Sequence, residues 1–378
     1  MVNQQRLVEE FIALVQVDSE TKHEAEIAKV LKERFAALGL QVEEDNSSAK
    51  SGCEGNNLLF TLPATADAQD APTIYFTCHM DTVVPGKGVK PQVGEDGIIR
   101  SDGTTVLGSD DKAGIAAMLE LVRVLEEEKI PHGIIKFVIT AGEESTLLGS
   151  RNMEPGWVKA DFGYAIDSNG EVGGIAVAAP FQSKVYITVK GKTAHAGVSP
   201  EKGISAITVA AKAVARMPLG RIDKETTANF GTFFASGETN IVTEKVELIG
   251  EARSLVKEKL LAQLDSMKSA CESACSEMGA SCEFRYELMY PGYKFDETAP
   301  HVKLVMDAAE AIGLTPNLFH SGGGSDANLF NGQGIPTVNL SVGYQAIHTV
   351  NEYIAVSDLV KVAELVVEIS RKAGQATK

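Results

Sequence analysis

Five short segments carry histidine or carboxylate side chains in patterns that could do chemistry. His79-Met80-Asp81 sets an imidazole and a carboxylate two residues apart. In an extended chain, positions i and i+2 face the same side, so Asp81 can orient the His79 ring and fix the tautomer of a metal-ligating histidine. Gly108-Ser109-Asp110-Asp111-Lys112-Ala113-Gly114 places two adjacent carboxylates before a strongly periodic apolar segment. Such a pair either caps a helix and meets its dipole or supplies a ligand shared by two metal ions. Thr140-Ala141-Gly142-Glu143-Glu144 closes a long apolar run. Carboxylates at the end of a central strand are costly to bury unless paired or metal-bound. Two neighbours divide labour naturally, one as ligand and one as general base. Asp167, and His348 in Gln345-Ala346-Ile347-His348-Thr349, complete the set. Two histidines and three carboxylates, each ending a different predicted strand, suit two metal ions about 3.5–4 Å apart. Nitrogen and oxygen donors without sulfur fit hydrolytic zinc, cobalt or manganese.

The elements that must position these residues are readable from periodicity. Leu7, Val8, Phe11, Ile12, Leu14 and Val15 have helical spacing, as do Ile27, Val30, Leu31, Phe35 and Leu38. Short apolar runs at 57–62, 73–77, 133–140 and 162–166 predict strands, and 112–128 predicts a helix. Alternating strand and helix predict an α/β layered domain with a mostly parallel sheet, whose ligands sit beyond the carboxyl ends of strands. After about residue 180, Val185, Ile187 and Val189 alternate with polar residues. Helices at 205–216 and 255–278 and a strand at 282–289 then suit a small α+β insertion. From about 295 the α/β pattern resumes, with a strand at 336–341 and a last helix from Val356. The expected organisation is a discontinuous catalytic domain of residues 1–180 and 294–378, and an inserted α+β domain of residues 181–293.

Composition narrows the function. The chain has 378 residues, with 35 Lys and Arg against 51 Asp and Glu, a net charge of −16. That balance argues against nucleic acid and against an anionic membrane surface. No apolar run is long enough to span a bilayer, and Glu9 and Glu10 interrupt the first apolar stripe, unlike a signal peptide. Five cysteines are an odd number in a long chain, which predicts no disulfide framework and a cytoplasmic location. Cys271, Cys275 and Cys282 lack a second Cys/His pair, which argues against structural zinc. The early strand-to-helix turns carry no phosphate-cradling glycine loop, and Gly322–Gly324 lacks the spacing of one.

The ordered set from His79 to His348 resembles the dizinc metallopeptidases that include peptidase T, carboxypeptidase G, aminoacylase and succinyl-diaminopimelate desuccinylase. Leu107-Gly108-Ser109-Asp110-Asp111-Lys112-Ala113-Gly114 is most similar to the peptidase T branch. Ser321-Gly322-Gly323-Gly324-Ser325-Asp326 also matches the family. The resemblance implies two zinc ions, with cobalt or manganese as substitutes. His79 and Asp167 would hold one and Glu144 and His348 the other, with Asp110 bridging both and a water completing the site. Glu143 would be the general base, Asp81 would orient His79, and the Asp110–Asp111 peptide bond would be cis. His195, in Thr193-Ala194-His195-Ala196-Gly197, would donate to the oxyanion of the tetrahedral intermediate. Asn240 and Arg253 would grip the substrate's free carboxylate, with backbone donors around Gly323, Gly324 and Ser325. The inserted domain would act as a lid and as the surface of a homodimer. The implied activity is tripeptide aminopeptidase cleavage of short peptides with a free C-terminus. The same residues also suit an N-acyl-amino-acid deacylase, a dipeptidase, or an inactive metal-binding relative. The chain is somewhat shorter than peptidase T, and no segment marks a site for a substrate's free amino group.

Overall fold

The computed structural model describes residues 1–376. The chain forms two compact units. The first comprises Met1–Ala178, Phe295–Ser321 and the chain from Ser325 onward; the second comprises Ala179–Lys294 with Gly322–Gly324.

The first unit begins with helices α1 (Gln4–Val15) and α2 (Ala25–Ala37). Strands β1 (Gln41–Glu44), β2 (Leu58–Leu62) and β3 (Ile74–His79) follow, then helix α3 (Ser109–Glu127). Next come β4 (Ile135–Thr140), β5 (Phe162–Ser168) and β6 (Gly174–Ala179). The second unit contains β7 (Phe181–Lys190), α4 (Ala206–Arg216), β8 (Thr226–Phe234), β9 (Lys245–Ser254), α5 (Lys257–Met278) and β10 (Ser281–Tyr290). The chain returns to the first unit with α6 (Pro300–Ala311), β11 (Asn317–His320), α7 (Asp326–Gly332), β12 (Thr337–Ser341) and α8 (Val356–Gln375).

Within the first unit the sheet runs β1-β2-β4-β3-β5-β12-β6, with β11 beside β6. The four central strands β4, β3, β5 and β12 are parallel. They therefore end on one edge of the sheet. They read as apolar runs because layers cover both faces; all six residues of β3 are buried. Helix α3 is buried nearly all round, as a helix enclosed by other layers is. Leu119 and Leu121 of α3, Val305 of α6 and Val366 of α8 belong to the same core as Phe76 and Phe137 of the sheet. No helix among the described residues is long and apolar enough to cross a membrane.

The second unit is an antiparallel sheet ordered β8-β9-β7-β10, with the short strand Gly220–Arg221 beside β8. Its core joins Val185, Ile187 and Val189 of β7 to Val209 and Ala213 of α4 and to Leu264 and Met267 of α5. The alternation seen in the sequence is thus a sheet with one face on helices.

Close packing in the first sheet has one sharp point. Tyr75 on β3 pairs with Gly163 on β5. A Cβ on Gly163 would lie 1.9 Å from the Tyr75 ring. That ring is fully buried, and its hydroxyl sits 2.5 Å from Thr337 Oγ1 of β12. Gly163→Ala should therefore cost about 1–3 kcal/mol through overpacking. A denaturant titration checks this, and an unchanged midpoint would show that Tyr75 can move aside.

Candidate metal centre and active site

The parallel strands deliver the chemical groups to one edge. His79 is the last residue of β3, and Asp167 is the last but one of β5. Glu143 and Glu144 follow β4 in a single 3₁₀ turn. His348 lies in the loop after β12, and Asp110 opens α3. Asp110 and Asp111 have non-helical φ/ψ, so regular helix begins at Lys112. The Asp110–Asp111 peptide bond is cis.

Asp110 stands at the centre of the cluster. Its Oδ1 lies 3.0 Å from His79 Nε2, and its Oδ2 lies 3.4 Å from His348 Nε2. His348 Nε2 is also 2.9 Å from Glu144 Oε1, and His79 Nε2 is 3.7 Å from Asp167 Oδ1. Donor atoms of His79, Asp110 and Glu144 lie within 4.8 Å of one another, as do those of His79, Asp111 and Asp167. Among the described residues, the ion pairs of Asp110, Glu144 and Asp167 within 4 Å are all with these two histidines. The donor set is two imidazole nitrogens and converging carboxylates, with no sulfur. That donor set fits borderline divalent cations.

Electrostatics describe the same crowding. Burial, reinforced by Asp167, pushes the Glu143 carboxyl well above the ordinary range. Burial likewise raises Asp167 and Asp111. Burial opposes charge on His79, yet its contacts with Asp110 and Asp81 overcome this and raise its pKa well above the usual imidazole value. Hydrogen bonds to Asp110 and then Glu144 push His348 up to about 10. Positive charge is thus favoured where the two imidazoles meet the carboxylates.

Around this cluster lies a layer of positioning groups. Asp81 has no solvent exposure. His79 Nδ1 meets the Asp81 backbone carbonyl at 3.0 Å and its Oδ1 at 3.4 Å. The Asp81 carboxylate accepts the backbone N–H groups of Glu143 (3.0 Å) and Glu144 (3.2 Å). Asp81 therefore ties the β4 turn to β3, besides facing His79. Glu352 accepts the N–H groups of Leu107 (2.8 Å), Gly108 (2.9 Å) and Asp110 (3.1 Å) and the Ser109 hydroxyl (2.6 Å). One buried carboxylate thus fixes the whole turn that carries Asp110. The Tyr344 hydroxyl donates to Asp167 Oδ1 at 3.3 Å, and Asn339 brackets the Asp167 backbone through both its N–H and C=O. Buried Asp326 accepts the hydroxyls of Thr140 and Ser150, bracing the end of β4. Glu352, Tyr344 and Asn339 carry no pattern that sequence reading could find; each is a lone polar residue. Four non-glycine residues in the loops around the cluster, Thr146, Leu147, Ala346 and His348, have φ between 51° and 69°. Such strain persists only where surroundings hold it.

The remaining sequence-predicted residues have other settings. Ser325 caps α7, its N–H donating to Asn328 Oδ1 at 3.0 Å, and its hydroxyl accepts from Asn339 at 3.1 Å. In the second unit, exposed His195 accepts at Nδ1 the N–H groups of Gly197 and Val198, each at 3.2 Å. Two donors at Nδ1 put the ring proton of the neutral imidazole on Nε2. Asn240 is exposed, and its carbonyl accepts the Ala196 N–H at 2.9 Å. Arg253 forms a fork with Glu251 at 2.8 and 3.0 Å and donates to the Gly322 carbonyl at 3.2 Å. Gly324 makes room for Tyr290: a Cβ there would lie 2.3 Å from its ring. The absent side chain thus admits a neighbour of the fold.

Known proteins are similar to this chain in sequence and fold. A crystal structure of aminopeptidase PepT from Bacillus cereus ATCC 10987 is 57% identical, covers 98% of this chain and 99% of its own, and superposes with a TM-score of 0.94. A tripeptidase structure from Staphylococcus aureus subsp. aureus Mu50 is 47% identical, with full coverage of both chains and a TM-score of 0.96. The uncharacterized protein YqjE of Bacillus subtilis strain 168 is 56% identical over 375 residues, covering 99% of this chain and 100% of its own. Residues 75–372, from β3 into the last helix, match one peptidase family. The chain belongs to peptidase family M20/M25/M40.

Proposed function

We propose that the chain is a metal-dependent tripeptide aminopeptidase acting on short peptides with a free C-terminus. The observation that carries the reading is Asp110, with one carboxylate oxygen turned to each histidine. The similarity to an aminopeptidase and a tripeptidase supports the peptide substrate. Residues His79, Asp110 and Asp167 would hold one divalent cation, and Asp110, Glu144 and His348 the other, with zinc the first candidate. Such cations polarise the scissile carbonyl and lower the pKa of an attacking water.

The chain's own groups do the rest. Glu143 takes a proton from the attacking water and delivers it to the leaving amine. Its buried position favours the protonated form, and bound divalent cations would favour the carboxylate it needs to be as a base. Asp81 holds the Glu143 backbone in place while facing His79. His195, with its proton on Nε2, donates to the developing oxyanion. Arg253, steadied by Glu251, and Asn240 bind the substrate's carboxylate.

Hydrolysis of di-, tri- and tetrapeptides with free and amidated C-termini, alongside N-acetyl amino acids, tests the substrate. Chelator-sensitive release of the N-terminal residue from tripeptides is expected. Preference for N-acyl amino acids would overturn the aminopeptidase reading in favour of a deacylase.

Three substitutions test the roles. Glu143→Gln should retain metal and lose about 10²–10⁴-fold in kcat; a tenth of wild-type activity or more would remove it as the base. His195→Ala should lower kcat by about 10²–10³-fold with metal content unchanged, and unaltered kinetics would return it to the surface. Glu352→Ala leaves the Asp110 turn without its acceptor, so a metal titration should show affinity weakened about 10–100-fold. Wild-type affinity in that variant would mean the turn holds itself.

A further inference from the structure

The second unit gathers three thiols that no part of the proposed chemistry uses. Cys271 and Cys275 lie one turn apart on α5, both buried. The helix ends at Met278, and Gly279 adopts φ +69°. The N–H groups of Gly279 and Ala280 both donate to the Cys275 carbonyl. This reversal starts β10 at Ser281 and brings Cys282 back beside the helix, paired with Val189 of β7. The three sulfurs lie within 4.8 Å of one another, all as free thiols. The sequence argued against zinc here because no second Cys/His pair is present. The fold supplies the third ligand from a strand instead.

We propose that Cys271, Cys275 and Cys282 form a trithiolate site for one divalent thiophilic cation of the zinc–cadmium class, separate from the catalytic centre. Sulfurs bound to one cation at about 2.3 Å stand roughly 4 Å apart, a spacing that lies inside the 4.8 Å limit of this cluster. A donor set of sulfur alone selects soft cations over the borderline ions that suit the nitrogen and oxygen centre. Binding releases three thiol protons and leaves one net negative charge. A monovalent ion would leave two, at greater cost among the apolar neighbours of this core. Burial pushes the Cys275 thiol up to about 11 and Cys271 higher still, so only a strongly thiophilic ion displaces the protons. Half-buried Cys282 gives the ion its way in. Once bound, the ion staples the end of α5 to β10.

The test adds Cd(II) to the full chain whose catalytic centre has been loaded with zinc. A thiolate-to-cadmium charge-transfer band saturating at one equivalent is expected, with release of protons. X-ray absorption at the cadmium edge should count three sulfur neighbours, a result that needs no variant. C282S should lose the band while keeping wild-type peptidase activity, and C53S should keep both. A missing band, cadmium surrounded only by nitrogen and oxygen, or an undiminished band in C282S would overturn the proposal.

Discussion

Like charge confined to a small volume is the constraint on which this structure turns. Four parallel strands end on one edge, and their loops place Asp81, Asp110, Asp111, Glu143, Glu144 and Asp167 there with two histidines. Burial and mutual repulsion push the Glu143, Asp111 and Asp167 carboxyls up, while contacts with the two imidazoles outweigh burial and hold Asp110 low. Protein cations other than the two imidazoles make no ion pair with Asp110, Glu144 or Asp167 among the described residues. Divalent cations would turn that repulsion into ligation, and folding and chemistry would then share one balance of charge.

Holding such a cluster requires a stiff surround. Glu352 spends its acceptors on four donors of one turn, and Asp81 joins the β4 turn to β3. Left-handed residues at Thr146, Leu147, Ala346 and His348 lie on the two loops that carry Glu144 and His348. Buried polar networks of this kind are stable only when their members are satisfied. Asp111 departs from this: its Oδ2 accepts the His79 N–H at 3.1 Å, while its buried Oδ1 has no hydrogen-bond partner among the described residues.

Much of this was legible in the sequence, for physical reasons. Carboxylates and histidines ending apolar runs stand out because burial makes them expensive anywhere else. The fold class followed from runs such as β4 and from the helix expected at 112–128, which matches the point where α3 becomes regular. Strand β6 (Gly-Ile-Ala-Val-Ala-Ala) escaped because small residues have weak β propensity; burial of the whole strand holds it instead. Strand β1 escaped because it is short and all four residues are exposed. Glu352 and Tyr344 were invisible because their importance lies in partners 245 and 177 residues away in the chain. At Gly324 the missing side chain also leaves the space that the Tyr290 ring occupies, a packing demand the sequence does not reveal.

The most direct test of the account is anomalous diffraction from crystals of the zinc-loaded protein. The account predicts two peaks about 3.5–4 Å apart, one against His79 Nε2 and one against His348 Nε2, with an oxygen of Asp110 on each. A single ion at this edge, or two ions that do not share Asp110, would contradict it.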